Sequence, residues 1–195
     1  MQWAYFVNPD QQDNVPGTNY SSFDPTLLKT RTPSYINTTT YMSLSGGPSV
    51  PVHIYGSPGT FTVTYIALNQ RGYIYAVEGG NYTFTSHHSD DLLLYWIGPK
   101  AYSGWTRSNA DLEDAAFSPT SGQLISFTKE LQRGQYYALR IIYANAQTGA
   151  TEAISVTAPD GTVILGPNSV PNPYIIQYSC NEAEAPAYPP FGQET

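Results

Sequence analysis

Short β-prone runs, each closed by turn residues, recur along the whole chain and leave little room for any other fold class. Residues 35–44, 50–55, 60–68, 72–77, 82–85, 92–97, 123–129, 136–144, 153–157 and 162–165 are rich in Val, Ile, Thr, Tyr and Phe, and Gly, Pro, Asn and Ser cluster between them. Sixteen Gly and 16 Pro supply the punctuation, while charged residues make up only 12% of the chain, so long helix-forming runs of Lys, Glu and Ala are missing. With 195 residues there is enough chain for one sizeable core. The pattern predicts an all-β domain, an antiparallel β-sandwich or jelly-roll-like barrel.

The expected elements run as follows. Residues 2–7 form a first strand, and residues 8–19 form a loop. Asp24 caps a short helix with Pro25 at its first position. Residues 60–68 alternate as a half-buried strand does, Gln70 and Arg71 lie at a turn before Gly72, and 174–178 form an edge strand. Residues 1–178 are the expected domain. Residues 179–195, rich in Pro, are the expected start of an extended linker.

Charge and composition exclude several functions. A net charge of −7 argues against nucleic acid, because phosphate binding needs clustered Lys and Arg. No apolar run reaches the roughly 20 residues that span a bilayer, so no membrane insertion is expected. Met1 leads directly into a strand with no signal core, as expected of a segment from inside a longer precursor. Cys180 is the only cysteine, so no disulfide framework is expected within the chain. Asn19-Tyr20-Ser21, Asn37-Thr38-Thr39 and Asn81-Tyr82-Thr83 permit N-glycosylation in a secreted protein.

The chemistry concentrates in residues 82–111. Two β-prone runs flank a polar loop that ends in Asp90-Asp91, and adjacent carboxylates at the start of a hydrophobic strand repel one another. A hard cation such as Ca²⁺, which takes six to eight oxygen ligands, would account for them. A turn role for Asp90, with Asp91 merely opening the strand, accounts for them equally well. His87 and His88 precede the pair without a third nitrogen or sulfur ligand and read as exposed loop residues. Trp96 reads as core. Trp105 either lines a sugar pocket or closes the core, Gln70 and Arg71 belong to a pocket rim, and Arg107, Asn109 and Asp111 form a hydrogen-bonded corner. The two aspartates share one loop, the wrong arrangement for a glycosidase, and Gly-x-Ser-x-Gly, His-Glu-x-x-His and Cys-x-x-Cys patterns are all missing from the sequence. No enzyme activity is expected.

Tyr82-Thr83-Phe84-Thr85, Asp90-Asp91 and Trp96-Ile97-Gly98 resemble the protective-antigen-type domain of microbial carbohydrate-binding proteins. Residues 100–111, from Lys100 to Asp111, are similar to the GLEYA branch of the fungal adhesins. Residues 139–146 and 155–161 are similar to the closing strands of yeast flocculin lectin domains. The chain departs from the pattern in reading Met1-Gln2-Trp3-Ala4-Tyr5 near its start and in having no adjacent cysteines at 101–106.

The resemblance implies a cis-linked Asp90-Asp91 pair bound to Ca²⁺, a side-chain ligand from Asn145, and main-chain donors near Gln147 and Gly149. A non-proline cis peptide costs about 3–4 kcal/mol and persists only where its surroundings fix it. Sugar hydroxyls would complete the coordination, with Asp90, Asp91, Asn145, Trp105 and Gln70 as the expected sugar-binding residues. It further implies a secreted, cell-wall-borne adhesin head that binds terminal N-acetylglucosamine, galactose or mannose of cell-surface glycans. The alternatives are a structural wall domain that has lost sugar binding and an accessory module of a larger carbohydrate-active enzyme.

Overall fold

A computed structural model describes residues 1–117 and 124–195. Its strands, in chain order, are β1 (Gln2–Val7), β2 (Tyr35–Thr38), β3 (Ser43–Gly46), β4 (Ile66–Tyr75), β5 (Gly80–His87), β6 (Asp91–Ile97), β7 (Leu112–Ala116), β8 (Leu124–Leu131), β9 (Tyr136–Asn145), β10 (Ala150–Thr157), β11 (Val163–Leu165) and β12 (Ile175–Ile176). One antiparallel sheet has the order β2-β1-β4-β9-β6-β7, and β12 pairs with the end of β4 that β1 leaves uncovered. The second has the order β11-β10-β5-β8, and β3 pairs with the first half of β10. The all-β expectation holds, and the two sheets form a sandwich.

The first sheet is covered on both faces. Between the sheets lies a core that includes Trp3, Leu68, Tyr82, Phe84, Leu93, Tyr95, Ile141 and Tyr143. A second core, with Phe6, Phe23, Leu28, Leu94, Trp96, Trp105 and Ile142, covers the outer face. Every residue of β6 is therefore buried, which is why its sequence reads as an unbroken apolar run. By contrast β10 alternates strictly between buried and half-buried positions, as expected of a strand with one face toward solvent.

The structure corrects several sequence expectations. Residues 50–55 form only a Val52–Phe61 bridge and a 3₁₀ turn, Ile54–Gly56. The capped helix at Asp24 is also 3₁₀, Pro25–Lys29, with Thr26 N–H donating to Asp24 Oδ1 at 2.9 Å. Residue 123 of the expected 123–129 strand lies outside the described residues; the described part begins at Leu124.

No turn occurs at Gln70 and Arg71, because β4 runs straight through both. Gly72 serves close approach instead: a Cβ there would lie 2.7 Å from the Ile176 carbonyl oxygen of β12. Asn69, Gln70 and Arg71 are tolerated inside the strand because each finds a partner, although Gln70 Oε1 itself has none. Arg140 donates to Asn69 Oδ1 at 2.6 Å, Gln70 donates to Glu152 Oε1 at 2.8 Å, and Arg71 ion-pairs with Glu194.

Glu194 belongs to the largest correction. Residues 184–195 pack against the sheet as a strap and do not start a linker there. Tyr188 donates to the Gly72 carbonyl at 2.9 Å, the Arg71 guanidinium stacks 3.5 Å from the Phe191 ring centroid, and Glu194 is buried between Arg71 and Arg140. Those arginines face each other across β4 and β9. Two buried like charges in register need an anion between them, and the strap provides it.

Candidate functional site

The strands deliver Asp91 and Asn145 to the same end of the first sheet. Leu92 pairs with Ala144 across β6 and β9, so the residues just beyond them, Asp91 and Asn145, lie side by side. On the other side of β9, Asn145 pairs with Ile66, where β4 begins. Ala146 N–H donates to Asp91 Oδ2 at 2.6 Å, and Asn14 Nδ2 donates to Asp91 Oδ1 at 2.7 Å. Asp90 N–H donates to the Thr151 carbonyl at 2.8 Å, which ties the aspartate loop to β10.

Asp90 and Asp91 are both buried, and among the described residues no ion pair includes either. Burial, with the neighbouring Asp91 charge adding to it, pushes the Asp90 carboxyl up to about 7. Burial also raises Asp91, against the lowering effect of the Ala146 N–H and the Asn14 amide. These directions describe two carboxylates short of positive charge. Asn145 donates through Nδ2 to the Val63 carbonyl at 2.6 Å, but its Oδ1 is buried with no hydrogen-bond partner. An orphaned buried acceptor beside two uncompensated carboxylates fits a hard cation that takes oxygen ligands.

The surroundings hold this arrangement under backbone strain. Of seven non-glycine residues with positive φ among the described residues, six, namely Asn19, Tyr20, Tyr65, His88, Asp91 and Thr148, lie in the loops or at the start of β6 at this end. Such conformations cost of order 1–3 kcal/mol each and collect where a site over-determines the backbone. The expected cis bond between Asp90 and Asp91 is not found: no described peptide is cis, and Asp91 adopts φ 63° instead. A left-handed residue breaks the extended alternation that would otherwise send consecutive side chains to opposite faces.

The loop at 146–149 lies beside Asp91, with a detail the sequence did not reveal. The Gln147 side chain accepts from Asn14 N–H at 2.8 Å and donates to the Asn14 carbonyl at 2.7 Å, so it clips the 8–20 loop onto the site. Asn8 adds a second clip, donating to the Asn145 carbonyl at 3.1 Å. Gly149 passes so close to β3 that a Cβ would lie 2.7 Å from the Gly46 carbonyl oxygen. Asn14 was missed by sequence reasoning. Nothing distinguishes it within a polar loop, and only the fold shows that it carries the Asp91 carboxylate.

Two expected sugar contacts lie elsewhere. Trp105 is fully buried, with the Arg140 guanidinium 4.6 Å and Lys29 Nζ 4.9 Å from its ring centroid, so of its two readings the core one holds. Arg140 is five residues along β9 from Asn145, about 16 Å at the rise of a strand. Gln70 is also fully buried, and donates to Tyr55 Oη and to Glu152 between the sheets; it forms no rim. His87 lies in β5 and pairs with Ser155 Oγ at 2.8 Å, whereas His88 is exposed. Trp96 is core, and the corner at 107–111 forms as expected: Asn109 Oδ1 accepts from Trp96 Nε1 at 2.8 Å and Asp111 Oδ2 accepts from Ile97 N–H at 2.9 Å. No group of three or more His, Cys, Asp or Glu among the described residues could hold a metal, so any cation here depends on amide and carbonyl oxygens as well.

Comparison with known proteins bears on this end of the molecule. Residues 66–158, from the first residue of β4 to just past β10, match the GLEYA domain family. The match spans Asp90, Asp91, Asn145 and the 146–149 loop, and leaves out the 8–20 loop and the strap.

Among curated relatives, the chain is 30% identical over 112 residues to Flocculation protein FLO1 of Saccharomyces cerevisiae, 53% of this chain and 7% of that protein. It is 30% identical over 127 residues to Flocculation protein FLO9 of the same yeast, 58% of this chain and 10% of that protein. It thus spans a tenth or less of these relatives' length.

Among solved structures, the Epithelial Adhesin 6 A domain of Candida glabrata, in complex with Galb1-3GlcNAc, superposes with TM-score 0.62 at 17% identity. That match covers 95% of this chain and 90% of the adhesin domain. The PA14 domain of the MpAFP antifreeze protein superposes with TM-score 0.58 at 16% identity, covering 84% of each chain. These likenesses establish a PA14-like fold.

Proposed function

We propose that this chain is a GLEYA-type domain and the sugar-binding head of a cell-surface adhesin, and that it holds terminal hexoses of glycans through a Ca²⁺ ion at the Asp90, Asp91 and Asn145 cluster. The unpartnered, buried Asn145 Oδ1 beside two uncompensated carboxylates supports this reading most directly. The Flocculation and Epithelial Adhesin relatives supply the adhesin context. Bound there, a calcium ion would supply positive charge for the carboxylates and open positions for sugar hydroxyl oxygens.

The chain's own residues set up this chemistry. Asp90 and Asp91 provide two anionic oxygen donors, Asn145 provides a neutral one, and the carbonyls near Gln147 and Gly149 are the further donors. The Ala146 N–H and the Asn14 amide hold the Asp91 carboxylate in place, and the Asn14–Gln147 clip keeps two loops together over the site. Trp105 and Gln70 take no part, so sugar preference falls to the loops around the mouth. With one diol recognised at a loop-rimmed mouth, affinity belongs in the micromolar-to-millimolar range, roughly −4 to −8 kcal/mol. Adhesion then relies on many heads acting together.

Calorimetric titration with calcium and then with galactose, mannose and N-acetylglucosamine tests the reading. Asp91→Ala and Asn145→Ala are expected to abolish calcium-dependent sugar binding in a folded domain. Asp111→Ala, in the corner remote from the site, is expected to retain it. Undiminished sugar binding by Asp91→Ala, or in excess chelator, overturns the calcium mechanism.

A further inference from the structure

At the end of the molecule opposite Asp90 and Asp91 there is a cleft of about 420 Å³ whose wall includes the rings of Tyr73, Tyr102 and Tyr136, with Glu184 and Pro186 of the strap along one side. Tyr136 stands nine residues before Asn145 on β9, so the two ends are about 30 Å apart. Part of this wall already binds an extended proline-containing chain, the protein's own. Tyr73 Oη donates to the Pro186 carbonyl at 2.7 Å, and Tyr102 Oη donates to the Ala187 carbonyl at 3.2 Å. The Tyr188 ring packs 5.2 Å from Tyr73 and 5.0 Å from Tyr102. Tyrosine rings that pack against an extended chain while their hydroxyls bond its unpaired carbonyls are how aromatic grooves recognise polyproline II segments, whose backbone forms no internal hydrogen bonds.

The rest of the cleft offers the same chemistry without a chain in it. Tyr102 and Tyr136 are half-exposed. Tyr136 is braced by Tyr75, with ring centroids 4.8 Å apart. Glu184, exposed at the cleft's edge, adds a negative charge to a chain whose net charge is already −7. We infer that this cleft docks a second extended segment, a proline-rich polypeptide from a partner that carries a basic residue opposite Glu184. The surface continues the intramolecular strap interface, and the docked segment lies alongside residues 184–187. The site is independent of the calcium cluster and of any sugar bound there.

The test uses residues 1–195 in excess chelator, which silences the calcium site without touching this one. The probes are a synthetic oligoproline decamer and the same decamer with two arginines at one end, followed by amide chemical shifts and calorimetry. Both peptides are expected to shift the Gly98 and Ala138 amides, and the arginine-bearing one to bind more tightly. Tyr136→Ala should weaken both at least tenfold. Glu184→Gln should remove only the advantage of the arginines, with its thermal unfolding unchanged. Should Tyr136→Ala fail to fold, Tyr136→Phe keeps the ring, removes its hydroxyl and is expected to weaken both peptides severalfold. No shift at millimolar peptide, or binding undiminished in the folded tyrosine variants, overturns the inference. So does a neutral glucan oligosaccharide that shifts these amides where the peptides do not.

Discussion

Buried polar side chains beside the aspartates and between the sheets are met differently. Asn145 has a buried acceptor awaiting a partner, whereas Glu152, buried between the sheets, is fully engaged by Tyr55 and Gln70. Burial pushes the Glu152 carboxyl up to about 7 from its usual 4.5, despite both hydrogen bonds. A carboxyl raised in the folded state binds its proton more tightly there than in the unfolded chain. Its contribution is therefore complete below about pH 4.5 and is lost as pH rises through 7. Glu152→Gln should remove this loss, by up to about 3 kcal/mol at pH 8, and flatten stability between pH 5 and 8. Urea unfolding of the metal-free protein across that range measures it, and an unchanged slope would show that Glu152 does not titrate there. Asp90, Asp91 and Asn145 were legible because they sit in quoted motifs. Gln70 was not, because its partners Tyr55 and Glu152 lie 15 and 82 residues away and no local pattern announces a buried polar pair.

At the scale of elements, the strap repays the closest attention. Proline-rich composition made residues 179–195 read as a linker, since proline does favour extended, solvated chain. That reading overlooked Tyr188, Phe191 and Glu194, which are spaced to meet Gly72, Arg71 and Arg140 on one sheet face. Similarly, Gln70 and Arg71 read as a turn because the carboxylate that neutralises Arg71 lies more than 120 residues further on. Short-range periodicity found nearly every strand, while pairing at long range was beyond its reach. Glu194→Ala should leave two buried arginines face to face and cost about 3–5 kcal/mol in chemical denaturation. Hydrogen exchange should rise across residues 184–195 in that variant, and replacing Arg71 with methionine as well should restore part of the loss. If Glu194→Ala unfolds at the wild-type denaturant concentration, the strap is ornamental.

For the molecule as a whole, the calcium reading makes stability depend on a solute. Anything that binds only the folded state stabilises it by RT ln(1 + [L]/Kd), about 2.7 kcal/mol at a hundredfold excess over Kd. For a domain of this size, chelation should lower the thermal midpoint by roughly 5–10 °C. In Asp91→Ala, scanning calorimetry should show no such difference. A midpoint indifferent to chelator in the native protein would remove calcium from the account. The sandwich also separates its tasks along the strand axis, with strained loops at one end and a tyrosine cleft at the other. Between them, Glu194 sits one residue from Thr195, whose carbonyl accepts from Gly104 N–H at 3.0 Å. A pull applied at Thr195 would therefore meet the Glu194–arginine clasp before any β-ladder was loaded. Once that clasp parted, the strap would pay out about 3.5 Å for each residue freed and absorb work while the distant mouth kept its shape. The clasp would act as a mechanical fuse, yielding at a sacrificial ion pair ahead of the sheets that hold the grip.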